Sequence, residues 1–194
     1  MRRENSLVKL EDKSKGKDDE KKKADGVRAV YISGHIGDET SKDIIQNLIR
    51  LQKEDPLSPI KMLIDSHGGY VDAMFSIIDV MEAIMPEIET IALGKAMSAA
   101  AIMFVCGTKG RRFMMPHSRL MLHQVTGFTY GTTADVLIEA EEQRYLQKQG
   151  TELIASKSNL TVEEVEKMID RDSYIRPEQA IEMGLCDGIV KTIS

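Results

Sequence analysis

The chain has 194 residues, 42% of them hydrophobic, which suits one globular domain with a sizeable core rather than two. A formal net charge of -5 and a pI near 5.5 leave no overall basic field for nucleic acid or an anionic membrane, and both are excluded as partners. Two cysteines, Cys106 and Cys186, lie in apolar stretches and read as buried thiols of a reducing compartment; with a charged start and no apolar run long enough to span a bilayer, a cytoplasmic protein is expected.

Residues 1–25 carry nine Lys or Arg and seven Asp or Glu, with Leu7, Val8 and Leu10 their only aliphatic side chains besides Met and Ala. Such a segment cannot bury enough apolar surface to order itself, so residues 1–26 are expected to form a charged, disordered tail and residues 27–194 a single domain. The remainder holds 17 basic and 24 acidic residues, so the folded part is acidic.

From there, short apolar runs alternate with helical patterns. Arg28 to Gly34 reads as a strand, and Asp38 to Gln52 as a helix with Ile44, Ile45, Leu48, Ile49 and Leu51 at helical spacing. Ile60 to Asp65 is the next strand, closed by a turn at Ser66-His67-Gly68-Gly69, and Val71 to Met85 its helix, stopped by Pro86. Ile88 to Leu93 is a third strand, Gly94 a turn, and Ser98 to Val105 a buried helix. Arg111 to Met115 and Arg119 to His123 are strands around Pro116; a long helix follows from Thr133 to Ser156, then a short one from Val162 to Ile169 capped near Thr161. The order is α/β, strands stacked under helices.

Four segments carry residues of chemical interest, each with an ordinary alternative. Ser98 sits at a strand-to-helix turn, where exposed backbone N–H groups favour a developing negative charge, but serine is also a common helix cap. His123 ends an apolar strand, a place for a general base or for a core histidine bonded to backbone. Gly68-Gly69 either exposes amides to a ligand or makes a tight turn, with His67 beside it, while His35 and His117 read as solvated. Asp170-Arg171-Asp172 ends a short helix, either as solvated surface or with an acid buried beside an imidazole. The scattered histidines and the absence of C-x-x-C or H-x-x-x-H spacing point to no metal.

Taken in order and spacing, these segments resemble the ClpP family of serine endopeptidases over nearly all of residues 28–190. Gly94 to Ala101 resembles the nucleophile motif, Met121-Leu122-His123-Gln124 the histidine motif, Arg171-Asp172 the acid motif and Ser66 to Gly69 the glycine pair at a strand end. The resemblance implies a ClpP/crotonase-like spiral of β-β-α units with a protruding handle helix at about Thr133 to Ser156. It implies Ser98 as nucleophile, His123 as general base and then acid, and Asp172 as the orienting carboxylate, with the backbone N–H groups of Gly69 and Ala99 as oxyanion hole. It further implies two stacked heptameric rings of identical chains around a closed chamber, with Asp170 and Arg171 in the contact between rings. The substrates would be unfolded proteins and short peptides, bound as an added strand beside the loop Val125 to Gly131. No cofactor is required; ATP would be spent by a separate AAA+ unfoldase, since this chain has no G-x-x-x-x-G-K-[ST] loop.

The sequence departs from the family pattern at His67 and Val125, where proline is usual, and at Ala99-Ala100, in place of Met-Gly. Lys61, Leu63 and Ala83 stand where aromatic residues would line an unfoldase pocket, and the charged tail replaces an apolar start. Three other readings compete: a weakly active structural ring subunit working with an active paralogue, a crotonase-like acyl-CoA enzyme, and a Ser-Lys peptidase using Lys95, three residues before Ser98.

Overall fold

The computed structural model describes residues 28–193; the charged tail assigned to residues 1–26 lies outside them. The elements run β1 (Ala29–Ile36), α1 (Asp38–Glu54), β2 (Ile60–Gly69), α2 (Val71–Ala83), β3 (Ile88–Met97), α3 (Ala99–Val105), β4 (Arg112–Met114), β5 (Arg119–Leu122), α4 (Thr133–Ser156), α5 (Val162–Ile169), β6 (Ser173–Ile175), α6 (Pro177–Glu182) and β7 (Gly188–Ile189). The α/β class holds. One seven-stranded sheet has the order β1-β2-β3-β4-β7, all parallel, and β5 branches from the far end of β3 to carry β6 antiparallel on its other side.

The core forms where the apolar faces of α1, α2 and α3 meet the strands. Ile44, Leu48 and Leu51 of α1 join Ile77, Ile78 and Met81 of α2 and the buried Ile60, Met62 and Ile64 of β2. The small side chains of Ala99, Ala100 and Ala101 let α3 approach β2 and β3 closely, and all three are buried. Arg28 fixes the entry to the sheet, its guanidinium donating to the carbonyl of Leu51 in the last turn of α1 and to those of Asp55 and Ser58 in the loop beyond it.

Several boundaries differ from the sequence expectation for a common reason: glycine sits inside strands here. The sequence places Gly68 (φ +98) and Gly94 (φ +57) in turns, yet β2 runs through Gly69 and β3 through Met97: the β1–β2 register shifts at His67, just before Gly68 pairs with His35, and the β2–β3 register shifts across Gly94. The expected helices Thr133–Ser156 and Val162–Ile169 are found with those bounds. Both start in capping boxes, Thr132 with Asp135 and Thr161 with Glu164.

Helix α4 divides in two. Gly150, Thr151 and Ile154 are buried, whereas residues 131–142 are exposed throughout, including Val136, Leu137 and Ile138, so its first half projects away from the domain. The chain end is fastened by Arg112, a fully buried arginine of β4. It donates to both carboxylate oxygens of Asp187 at 2.7 and 2.9 Å and to the carbonyl of Lys157 at 2.6 Å, closing β7 onto the sheet.

Candidate active site

The strand ends place the chemistry. Ser98 follows the last residue of β3 and precedes α3, with φ 54 and ψ -126, a combination that side chains rarely adopt. Its N–H donates to the carbonyl of Met121 on β5 at 2.7 Å, and its carbonyl accepts from Ala101 and Ile102 at the start of α3. The strained turn therefore pushes the hydroxyl out of the sheet and aims it at the neighbouring strand end.

His123 is the first residue beyond β5, and its Nε2 lies 2.8 Å from Ser98 Oγ. The serine and histidine singled out in the sequence, 25 residues apart, are thus in hydrogen-bond contact, which favours the base over a core histidine bonded to backbone. Lys95 does not compete for that hydroxyl, because its ammonium is held by Asp65 at 2.7 Å.

The third member arrives through register. In the antiparallel pair β5–β6, Leu120 faces Ile175, Met121 faces Tyr174 and Leu122 faces Ser173, so the next pair outward is His123 with Asp172. Asp172 Oδ1 is 3.8 Å from His123 Nδ1, too far for a hydrogen bond, and the side chain is 61% exposed. Of the two readings of this cluster, solvated surface or buried acid, Asp172 follows the first: it faces the correct nitrogen but is open to solvent, and among the described residues none covers the end of β6.

The glycine pair is strained for a visible purpose. A Cβ on Gly68 would lie 2.7 Å from the carbonyl oxygen of Met97 and 2.8 Å from Ser98 Cβ; one on Gly69 would lie 2.1 Å from the carbonyl oxygen of Ile36. Only glycine lets this segment approach both the serine turn and β1. Ser66, whose role the sequence reading missed, pins it from below: its buried hydroxyl accepts from Gly68 N–H at 3.0 Å and donates to the carbonyl of Gly34 at 2.5 Å. Gly69 and Ala99 line one pocket with Ser98 and His123. That pocket extends under α4, where Val71, Met74, Ile102, Leu146 and Ile154 make it largely apolar.

Of the remaining candidates, Asp170 and Arg171 are exposed at the end of α5, and Asp170 accepts from Gln124 Nε2 at 3.2 Å. His35 and His67 are exposed on their strands and His117 in a loop, none touching Ser98; His35 packs edge-on against Tyr70. Lys61 and Leu63 share one half-buried face of β2, Lys61 lying 3.9 Å from Glu89, and Ala83 is exposed at the end of α2. Cys106 and Cys186 are unpaired and buried, and burial pushes the Cys106 thiol up to about 12. Among the described residues, no group of three or more His, Cys, Asp or Glu could hold a metal ion, and no helix is long and apolar enough to cross a membrane.

Against known proteins, the Clp protease family model matches residues 12–193. The ATP-dependent Clp protease proteolytic subunit 4, chloroplastic, of Arabidopsis thaliana is 40% identical over 163 residues, covering 84% of this chain and 56% of that protein. The chain thus spans little more than half the length of this curated relative. Strand-end serine and histidine in contact, the glycine pair behind them, the projecting helix and a match over almost the whole sequence lead to one assignment: the chain belongs to the Clp protease family.

Proposed function

We propose that this ClpP-type peptidase is a serine endopeptidase in which Ser98 is the nucleophile, His123 the general base and acid, and Asp172 the carboxylate that orients the imidazole. The observation that carries the reading is the 2.8 Å approach of His123 Nε2 to Ser98 Oγ at a strained strand-to-helix turn. Ser98 Oγ attacks the scissile carbonyl carbon while its proton passes to His123 Nε2. The resulting oxyanion is held by the N–H groups of Gly69 and Ala99, and His123 then protonates the departing amine. Water, deprotonated by the same imidazole, releases the acyl group from Ser98. The apolar pocket under α4 suits an apolar side chain next to the scissile bond.

The substrates in this reading are unfolded proteins and short peptides admitted to a chamber formed by two stacked heptameric rings. The projecting half of α4, with Val136, Leu137 and Ile138 exposed among charges, supports a partner surface there, and Asp170 and Arg171 would meet the opposite ring. An AAA+ unfoldase would feed the chamber. Its docking face would be atypical, since Lys61 carries a charge and Leu63 and Ala83 no aromatic ring. The buried thiols favour a reducing compartment, which we take to be the cytoplasm; the chloroplast in the relative's name belongs to that protein.

A second reading, a weakly active ring subunit accompanying an active paralogue, is favoured by the open 3.8 Å gap between His123 and Asp172. Labelling of the full chain with a fluorophosphonate separates the two. Stoichiometric labelling that disappears in Ser98→Ala and His123→Ala supports the endopeptidase; an inert wild-type chain in assembled rings supports the structural subunit.

A further inference from the structure

The last residue of β5 with a ladder partner is Leu122, so His123 begins a stretch whose position must be set by other bonds. Side chains of α4 supply them. Val125 N–H donates to Gln147 Oε1 at 2.5 Å, and Gln147 Nε2 donates in turn to Thr151 Oγ1 at 3.3 Å. Thr151 is buried and its own hydroxyl donates to the carbonyl of Gln147 at 2.9 Å, so the Gln147 amide is oriented with its oxygen toward the loop. One turn earlier, Gln143 Nε2 reaches Thr129 Oγ1 at 3.4 Å, and Gly127 lies so close that a Cβ there would meet the Gln143 amide at 2.5 Å. Residues 143, 147 and 151 are spaced four apart and share one helix face, a polar rail along which the loop is laid.

We infer that Gln147 is a positioning residue for the proposed reaction: by holding the Val125 N–H it keeps His123 seated on Ser98. The inference rests on the endopeptidase reading. Gln147 lines the same pocket as Ser98 and His123 but moves no proton; it acts on the imidazole through two residues of backbone. On the other side of the same stretch, Gln124 is tied to Asp170, so the segment from His123 to Val125 is strung between α4 and the end of α5, and loss of the Gln147 tether releases one side of it.

The test uses the full-length chain and four variants: Gln147→Leu, which keeps the shape and removes the acceptor; Gln147→Glu, which keeps an acceptor; Val125→Pro, which removes the donor and installs the rigid residue usual in the family at this position, where no tether can form; and Gln147→Leu with Val125→Pro. The readouts are the rate of fluorophosphonate labelling at Ser98, peptide kcat and KM, and the thermal midpoint. Gln147→Leu is expected to lower labelling and kcat roughly tenfold, the worth of about one hydrogen bond, with KM changed less than about twofold and the midpoint nearly unmoved. Gln147→Glu is expected to keep labelling within about threefold of wild type, and the double variant to be no slower than the slower single one, because both changes cut the same bond. Wild-type labelling in Gln147→Leu, or losses that multiply in the double variant, overturns the inference while leaving the proposed nucleophile standing. An inert wild-type chain instead overturns the endopeptidase reading itself, and this inference with it.

Discussion

Two pairings of a nitrogen base with a carboxylate close the C-terminal third of this fold, and they are built in opposite ways. Arg112 and Asp187 are sealed by the chain itself: the arginine is fully buried, and the carboxylate accepts from its Nε and an Nη and from the N–H groups of Gly110 and Arg112. His123 and Asp172 face each other at 3.8 Å with the acid 61% exposed and no such enclosure. A pair that serves stability is completed within one chain, because leaving a buried charge unpaired is costly. A pair proposed to serve chemistry can wait for a neighbour, since an open carboxylate is already solvated and loses little by waiting.

The sharpest break in that comparison is catalytic. Asp172→Asn should leave the fold intact, and the corresponding change in a serine protease triad leads us to expect turnover to fall by roughly 10³ to 10⁴ through the wrong imidazole tautomer. Peptide hydrolysis together with sedimentation checks it; near wild-type turnover in intact rings would remove Asp172 from the site. On the structural side, Arg112→Met, which takes the charge and both guanidinium bonds from Asp187 and leaves it two backbone N–H groups, should cost about 3 kcal/mol of unfolding free energy in denaturant titrations. A loss under about 1 kcal/mol would show that the two pairs are alike after all.

Gly68→Ala probes the segment that bears on both. A methyl group at φ +98, pressed against the Met97 carbonyl and Ser98 Cβ, should cost about 1–3 kcal/mol and slow Ser98 labelling, which labelling and denaturation measured on one sample would separate.

A smaller effect should appear with pH. Burial alone would raise the Asp187 carboxyl, but the hydrogen bonds and charge of Arg112 hold it below its ordinary value. Its folded pKa is thus lower than the unfolded one near 3.9. The stabilisation is therefore complete above about pH 5 and drains away as pH falls through the folded value. Thermal midpoints between about pH 6 and pH 3 should fall less steeply in Asp187→Asn than in wild type; parallel curves would contradict the assignment. Smallest of all, native Cys106 should resist alkylation near neutral pH and react only after unfolding, since burial holds its thiol at about 12.

Legibility in the sequence followed element length. The 24-residue α4 announces itself by a long run of helix-forming residues unbroken by proline, and α5 by its apolar periodicity and by Thr161 followed three residues later by Glu164. The three-residue β6, the two-residue β7 and α6, only six residues behind Pro177, are too short for any period and exist because the sheet supplies partners. Ser98 and His123 were visible as strand-end residues, and their contact needed only the parallel pairing of β3 with β5. The burial of Arg112 was not visible, for its partner lies 75 residues further along and nothing local distinguishes it from the exposed face of a strand. The exposure of Asp172 was one of two readings left open, because the choice depends on what covers the end of β6 and not on the local sequence.

The register that sets His123 opposite Asp172 also fixes an order in time. Ser98 and His123 are neighbours only once β5 has docked on β3, and Asp172 joins only when β6, whose residues are synthesised some fifty positions later, has paired back onto β5. Both closures join residues far apart in sequence, contacts that carry a larger loop-closure cost than local ones. A nascent chain that has emerged only through its first five strands thus holds a serine and a base but no acid. In the proposed chemistry, hydrolytic competence would then be withheld from unfinished chains, and the growing polypeptides nearby, themselves unfolded, would be spared.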